Sequence, residues 1–191
     1  SRQGLHRKVL ETPLEKPLIR IERLATLTPR QFDDLCDLLV DAVESGASVG
    51  FLSPISRATA SEYWHGVEAA IALDLVLFAA EVEGKVVGSV QLVPCPKENG
   101  QHRAEIQKLF VLRGHQGRGM ATQLMQAAEQ AAASMGRTLL VLDTHEGSLA
   151  DAMYPGWGWQ RAGAIPDYAA GPDGSLHPTV YYYKRIAPET G

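Results

Sequence analysis

The sequence predicts a single α/β domain built on a mixed, mostly antiparallel sheet with helices on both faces. Three observations carry this reading. Two β-rich runs, Leu75–Val82 and Lys85–Val93, flank a Glu83-Gly84 turn, which is the pattern of a tight hairpin and so of antiparallel pairing. A strand over about His102–Leu112 is followed by a glycine-rich turn, an Ala-, Gln- and Met-rich helix over about Gly119–Met135, and a strand at Thr138–Leu142. That unit joins two strands through a helix and so needs a parallel pair. Length is the third: 191 residues, 45% hydrophobic and 21% charged, suit one domain that buries its own core.

The remaining elements follow in chain order. Residues 1–16 show no period and are read as an N-terminal arm ahead of a domain at 17–187. Leu18–Leu24 is a first strand, with alternation from Ile19. Thr28-Pro29-Arg30-Gln31 opens a helix, with Thr as cap, Pro in the first turn and Gln three residues on. Phe32, Leu35, Cys36, Leu39 and Val43 then recur at helical spacing up to Gly46. Thr59-Ala60-Ser61-Glu62 is a second capping box, for a helix to about Leu73. Pro94–Gly100 is a loop, and Gly136 stops the long helix. A short helix, Leu149–Tyr154, is capped by Ser148 and shut by Pro155-Gly156. A strand at Trp159–Ala164, a Pro- and Gly-rich loop at Pro166–Pro178 and a last strand at Thr179–Arg185 complete the chain. There is no internal repeat and no linker.

Composition excludes several functions. A net charge of −4 and a pI near 5.9 oppose binding to nucleic acid or anionic lipid, which needs clustered Lys and Arg. The longest apolar stretch, Ala69–Ala80, is broken by Asp74 and falls short of the ~20 residues of a membrane span. No signal-type segment opens the chain, so the reading is soluble and cytoplasmic. Cys36 and Cys95 have no paired spacing and read as free thiols of a reducing compartment. The six histidines form no local metal motif, and no metal is expected.

The informative stretch runs from Leu109 to Ala121. Glycines between a strand and a helix let backbone N–H groups converge on an anion at the positive end of the helix dipole. The bare alternative is a tight turn holding nothing. A Walker loop is ruled out, because no Gly-Lys-Ser/Thr is present. A dinucleotide fingerprint fits Gly117-x-Gly119 and then fails at Thr122, although Asp143 lies at about the right distance for a ribose partner; NAD binding stays as the weaker alternative. Gln116-Gly117-Arg118-Gly119-Met120-Ala121 fits better. It resembles the Q/R-x-x-G-x-G/A signature of the GNAT family of N-acetyltransferases, and the order of elements agrees over nearly the whole chain. The resemblance implies acetyl-CoA as co-substrate, with Gln116, Gly117, Arg118, Gly119, Met120 and Ala121 around its phosphates. It also implies that the backbone of Leu109, Phe110 and Val111 faces the pantetheine, within a splayed pair of parallel strands.

Leu142-Asp143-Thr144, Ala150, Tyr154, Trp157-Gly158-Trp159 and Ile165-Pro166-Asp167-Tyr168 are similar to the subgroup that includes tabtoxin-resistance acetyltransferase. That likeness implies Asp143 and Tyr154 as catalytic residues. It points to an acceptor that is the primary amine of a small molecule, an amino-acid-like metabolite or an antibiotic, attacked directly in a ternary complex. Tyr154 suits a general acid for the departing thiolate; packed on the sheet, it would be structural. Asp143 suits the acceptor's ammonium or its proton, or else a cap before Ser148. Glu105 is a second base, or an ion-pair partner of Arg103 or a lysine. An amide near Phe110–Val111 suits the oxyanion. Segments 45–58 and 166–178 are long enough to cover an acceptor. The family makes a homodimer an available state, with no apolar stripe marking its surface. A non-catalytic acyl-CoA-binding module is the competing class, and the intact Asp143 and Tyr154 oppose it.

Overall fold

The computed structural model describes residues 16–47 and 49–189. The arm assigned to 1–16 lies, apart from Lys16, outside the described residues. Strand β1 (Ile19–Arg23) leads to helix α1 (Pro29–Glu44), opened by the expected capping box of Thr28 and Gln31. Helix α2 (Arg57–Ile71) differs from expectation. Its cap is Ser56, whose hydroxyl accepts from the Thr59 amide at 3.1 Å, so Thr59–Glu62 lies inside the helix. Ser56 and Thr59 stand one turn apart, and the earlier hydroxyl satisfies the orphan amides first.

Strands β2 (Val76–Val82) and β3 (Lys85–Pro94) form the hairpin, with Glu83 and Gly84 both at positive φ as a two-residue turn requires. Next come β4 (Arg103–Val111), α3 (Met120–Ser134), β5 (Leu139–His145), α4 (Leu149–Met153), β6 (Gln160–Ala170) and β7 (Leu176–Arg185). The loop expected over 166–178 is a correction: β6 and β7 run through most of it, and only Gly171–Ser175 turns. Pro166 and Pro178 carry the loop signal. Both lie where the β6/β7 register slips, between Ile165 and Ala169; Pro166 is on the edge strand β6, and Pro178 lies just past the last β5/β7 pair, His145↔Thr179.

The sheet order is β1-β2-β3-β4-β5-β7-β6, antiparallel except for β4/β5. That parallel pair holds for three positions, from Arg103↔Leu139 to Glu105↔Val141, and then opens. Helices cover both faces. Met120, Leu124, Met125 and Ala128 of α3 pack with Ala104, Ile106, Leu140 and Leu142 in one core. Leu35 and Leu39 of α1 and Trp64 of α2 pack with Leu77, Ala79 and Phe110 in the other. Among the described residues no helix is long and apolar enough to cross a membrane.

Candidate active site

The site is organised around the opening between β4 and β5. Beyond Glu105↔Val141 the facing edge of β4 has no ladder partner. The Leu112 amide donates to Val87 O at 2.8 Å, so by alternation Phe110, opposite Ser89, also turns its amide to β3. The amides of Leu109 and Val111 therefore face the splay. The Phe110 ring is buried against α1 and α2.

A bulge makes this possible. Ala104 and Ile106 face the α3 core, and strict alternation would send Lys108 and Phe110 the same way. Instead the β3/β4 register slips between Ser89 and Gln91, and Lys108 takes φ +55°. Phe110 is thereby turned to the α1/α2 face, while Leu109 and Val111 pack on the α3 side.

The glycine turn follows. Arg113 is anchored at its start, its amide and Nε reaching Asp41 at 2.9 and 2.8 Å. Gly114, Gly117 and Gly119 all have positive φ, and a Cβ on any of them would meet only open space. Gly119 is the N-cap of α3 at φ +77°, with no side chain capping the helix. The first amides of a 15-residue helix thus face open space, with the exposed Arg118 beside them. Met120 is buried and Ala121 half-buried, so both offer backbone here.

On the α1/α2 face the sheet presents acids. Leu140 and Leu142 point to α3, so Asp143 points the other way, and Glu105 does so opposite Ala104 and Ile106. Lys108 lies between them, its Nζ donating to Val49 O at 2.8 Å. Burial first, and then the Asp143 charge, push the Glu105 carboxyl up, and Lys108 pulls it partly back. Burial likewise raises Asp143 against the pull of Lys108, although its rim reaches solvent. Lys108 is lowered by burial despite both carboxylates. Asp143 stands opposite Tyr181, whose hydroxyl donates to Tyr168 Oη at 2.7 Å. Above this face the two covering segments meet, the Ser53 amide donating to Pro172 O at 2.7 Å. Two of the plainer roles are filled by other residues, while Lys108 is the lysine whose charge acts on Glu105. Arg103 reaches Cys95 Sγ at 3.3 Å, and Asp151 accepts the Gly147 amide ahead of Ser148.

Tyr154 lies on the opposite, α3 face. Pro155-Gly156 does end α4, at Met153, and the chain continues as a 3-10 turn over Tyr154–Trp157. The phenol is buried between Trp157, Trp159 and Tyr182, with ring centroids at 5.7, 6.0 and 5.4 Å. Burial first, then Asp143 and Tyr182, push it up to about 12. The turn hangs from α3: Trp157 Nε1 donates to Thr122 Oγ1 at 3.2 Å, and Lys184 Nζ joins Trp157 O at 2.8 Å to Glu129 at 2.6 Å.

An uncapped helix start behind open glycines, a strand pair that splays after three positions, and acids and a phenol on opposite sides of the opening now find their counterpart in known proteins. The acetyltransferase (GNAT) family matches residues 32–154. An N-acetyltransferase, itself uncharacterised, from the hisH–hisA intergenic region of Azospirillum brasilense is 30% identical over 164 residues, covering 78% of this chain and 96% of that one. The chain belongs to the acetyltransferase (GNAT) family. Enzymes of this family use acetyl-CoA. The GNAT fold is equally plain in solved structures. An N-acetyltransferase from Staphylococcus aureus Mu50 superposes with a TM-score of 0.73 at 18% identity, covering 88% of this chain and 98% of that one. The ribosomal-protein-alanine N-acetyltransferase from Brucella melitensis gives 0.71 at 20%, covering 88% and 99%. The yncA protein from Salmonella typhimurium, solved with acetyl-CoA, gives 0.72 at 15%, covering 92% and 97%.

Of the GNAT site residues named from sequence, the cradle and strand residues form one continuous path from Gln116–Ala121 to Leu109. Glu105 and Asp143 share the face opposite Tyr154. Tyr168 and Trp157 enter the sequence reading only as motif residues, with no role given, and Lys108, Tyr181, Thr122 and Lys184 are not singled out there as site residues. Lys108 stands in a strand that already carries Arg103, Glu105 and Gln107, so its charge gives no separate signal.

Proposed function

We propose that this GNAT domain, residues 17–187, transfers acetyl from acetyl-CoA to the primary amine of a small molecule by direct attack in a ternary complex. The observation that carries the proposal is the separation across the splay, with backbone amides and a phenol on one side and two raised carboxylates on the other. The open cradle at Gly117–Gly119 fits a pyrophosphate, and the unpaired strand edge at Leu109–Val111 fits an amide-bearing chain such as pantetheine. When bound, acetyl-CoA supplies the acetyl thioester.

The amides of Leu109 and Val111 are the donors for the carbonyl oxygen as negative charge develops on it. Asp143, at the rim, holds the acceptor's ammonium, and Glu105, pushed up by both burial and Asp143, takes its proton. Tyr154 serves the sulfur by a hydrogen bond. A phenol at about 12 would surrender its proton to a thiolate near 8.5 only at a cost of roughly 5 kcal/mol, so its proton stays largely on oxygen. The motif likeness to tabtoxin-resistance acetyltransferase supports an amino-acid-like metabolite or antibiotic as acceptor and a cytoplasmic setting. The test is CoA release with a library of small primary amines. Amine-dependent release that is lost in Glu105→Gln is expected. Acetyl-CoA binding with no release on any amine would leave a non-catalytic acyl-CoA-binding module.

A further inference from the structure

Helix α2 contains a glycine that its packing does not require. Gly66 is exposed mid-helix, and a Cβ built there meets nothing within 4 Å. Glycine weakens a helix interior, so the position gains nothing locally from it. Thr59, Gly66 and Ala70 share one side of α2, and that side walls a broad, solvent-open cavity of about 560 Å³ that Phe51, Leu75 and Gln107 also line. The volume is that of a small-molecule pocket.

The floor is ordered. Gln91, fully buried, donates from Nε2 to Tyr63 Oη at 2.9 Å, and Gln107 Nε2 donates to Gln91 Oε1 at 2.9 Å. This chain fixes the carboxamide plane of Gln107 and uses one of its two N–H donors. Gln107 lies two residues from Glu105 on the same face of β4, roughly 7 Å away. The cavity therefore adjoins the carboxylates, and Phe51 follows directly on the Val49–Gly50 segment that Lys108 holds. Glu62 lines the same cavity and puts a carboxylate on its outer wall.

We infer that this cavity receives the body of the acceptor, and that the acceptor is a primary amine borne two or three carbons from an apolar, ring-sized group. The inference rests on the proposed reading of this face as the acceptor side, and it narrows the small primary amines of that reading to ones without a free carboxylate, in place of amino-acid-like acceptors. The distance from Glu105 to Gln107 sets the length of the spacer. The apolar walls set the character of the body, and the acids at rim and mouth disfavour a free carboxylate on it.

The test compares CoA release by the wild-type protein and Gly66→Leu with 2-phenylethylamine, ethylamine, phenylalanine and an alanine-ended peptide. In the wild type, 2-phenylethylamine is expected to exceed the other three at least tenfold in kcat/KM. Leucine at position 66 strengthens the helix and fills the cavity. It is expected to raise KM for 2-phenylethylamine at least tenfold while leaving KM for ethylamine and acetyl-CoA unchanged and the melting temperature no lower. Ala70→Met, filling the other end, should behave alike. Equal use of phenylethylamine and ethylamine, preference for phenylalanine or the peptide, or indifference to both fillings would overturn the inference while leaving the acetyltransferase reading intact. Failure of every amine, with acetyl-CoA still bound, would overturn the acceptor reading itself.

Discussion

The two sides of the β4/β5 opening are built from different materials. On the α3 side the groups offered to a ligand are mostly backbone: the uncapped amides after Gly119 and the strand amides of Leu109 and Val111. On the α1/α2 side they are side chains drawn from β4, β5, β6, β7 and α2, brought together by register. A backbone cradle is the same in every chain that makes the turn, so it suits a shared co-substrate. A side-chain face changes with each substitution, so it suits an acceptor that differs between family members. Glu105 and Asp143 are held above the ordinary carboxylate range, first by burial, and Tyr154 is fixed by packing; the proposed function draws on charge on one side and on geometry on the other.

The sharpest way to break this division is Glu105→Gln. If the acceptor side alone needs that charge, kcat/KM for the amine falls by roughly 10²–10⁴-fold while acetyl-CoA affinity stays within about twofold. The acid limb of the pH profile, which in the wild type lies above the ordinary carboxylate range, should disappear. Stability should move the other way. A carboxyl whose folded pKa is raised holds its proton longer in the folded state, so ionising it costs stability as pH rises through that pKa. Glu105→Gln is therefore expected to melt higher than wild type at pH 7, with the gain gone by about pH 4, where the unfolded carboxyl is also protonated. Equal melting at both values would contradict the raised pKa.

Gly119→Val attacks the other side. At φ +77° a β-branched residue strains the N-cap and displaces the amides behind it, and acetyl-CoA affinity should fall roughly 100-fold by calorimetry with the circular dichroism unchanged. Tyr154→Phe should lower kcat by about 10- to 100-fold, equally for every amine, with acetyl-CoA binding intact. An amine-dependent loss would move Tyr154 to the acceptor side of the comparison. Thr122→Val removes the acceptor of the Trp157 indole bond. It should cost about 1 kcal/mol of stability and only a few-fold in kcat, since Lys184 still holds Trp157 O.

The same contrast explains what the amino-acid sequence reveals. The cradle is legible because glycine spacing in a strand–turn–helix reports backbone geometry directly, and the Thr28 box and Glu83-Gly84 turn are legible for the same local reason. Asp143 and Glu105 are legible as acids on strands, but their nearness depends on the β4/β5 register, which is a long-range fact. The bulge at Lys108 inverts the alternation of β4, and read with a period of two, Ile106, Lys108 and Phe110 would share one face. Residues 166–178 have loop composition and become strand because β7 supplies the partner, a long-range fact. Trp157 and Thr122 stand 35 positions apart, and only the packing of the 3-10 turn on α3 joins them.

The measurement closest to the central claim is a parallel calorimetric titration of the intact protein with acetyl-CoA, CoA and NAD. Saturable binding of acetyl-CoA and CoA in the micromolar range, with no heat from NAD, is the result predicted by an anion cradle continuous with an unpaired strand edge. A folded sample that binds neither CoA form would contradict it, and the stretch from Gln116 to Ala121 would then be a turn that holds nothing.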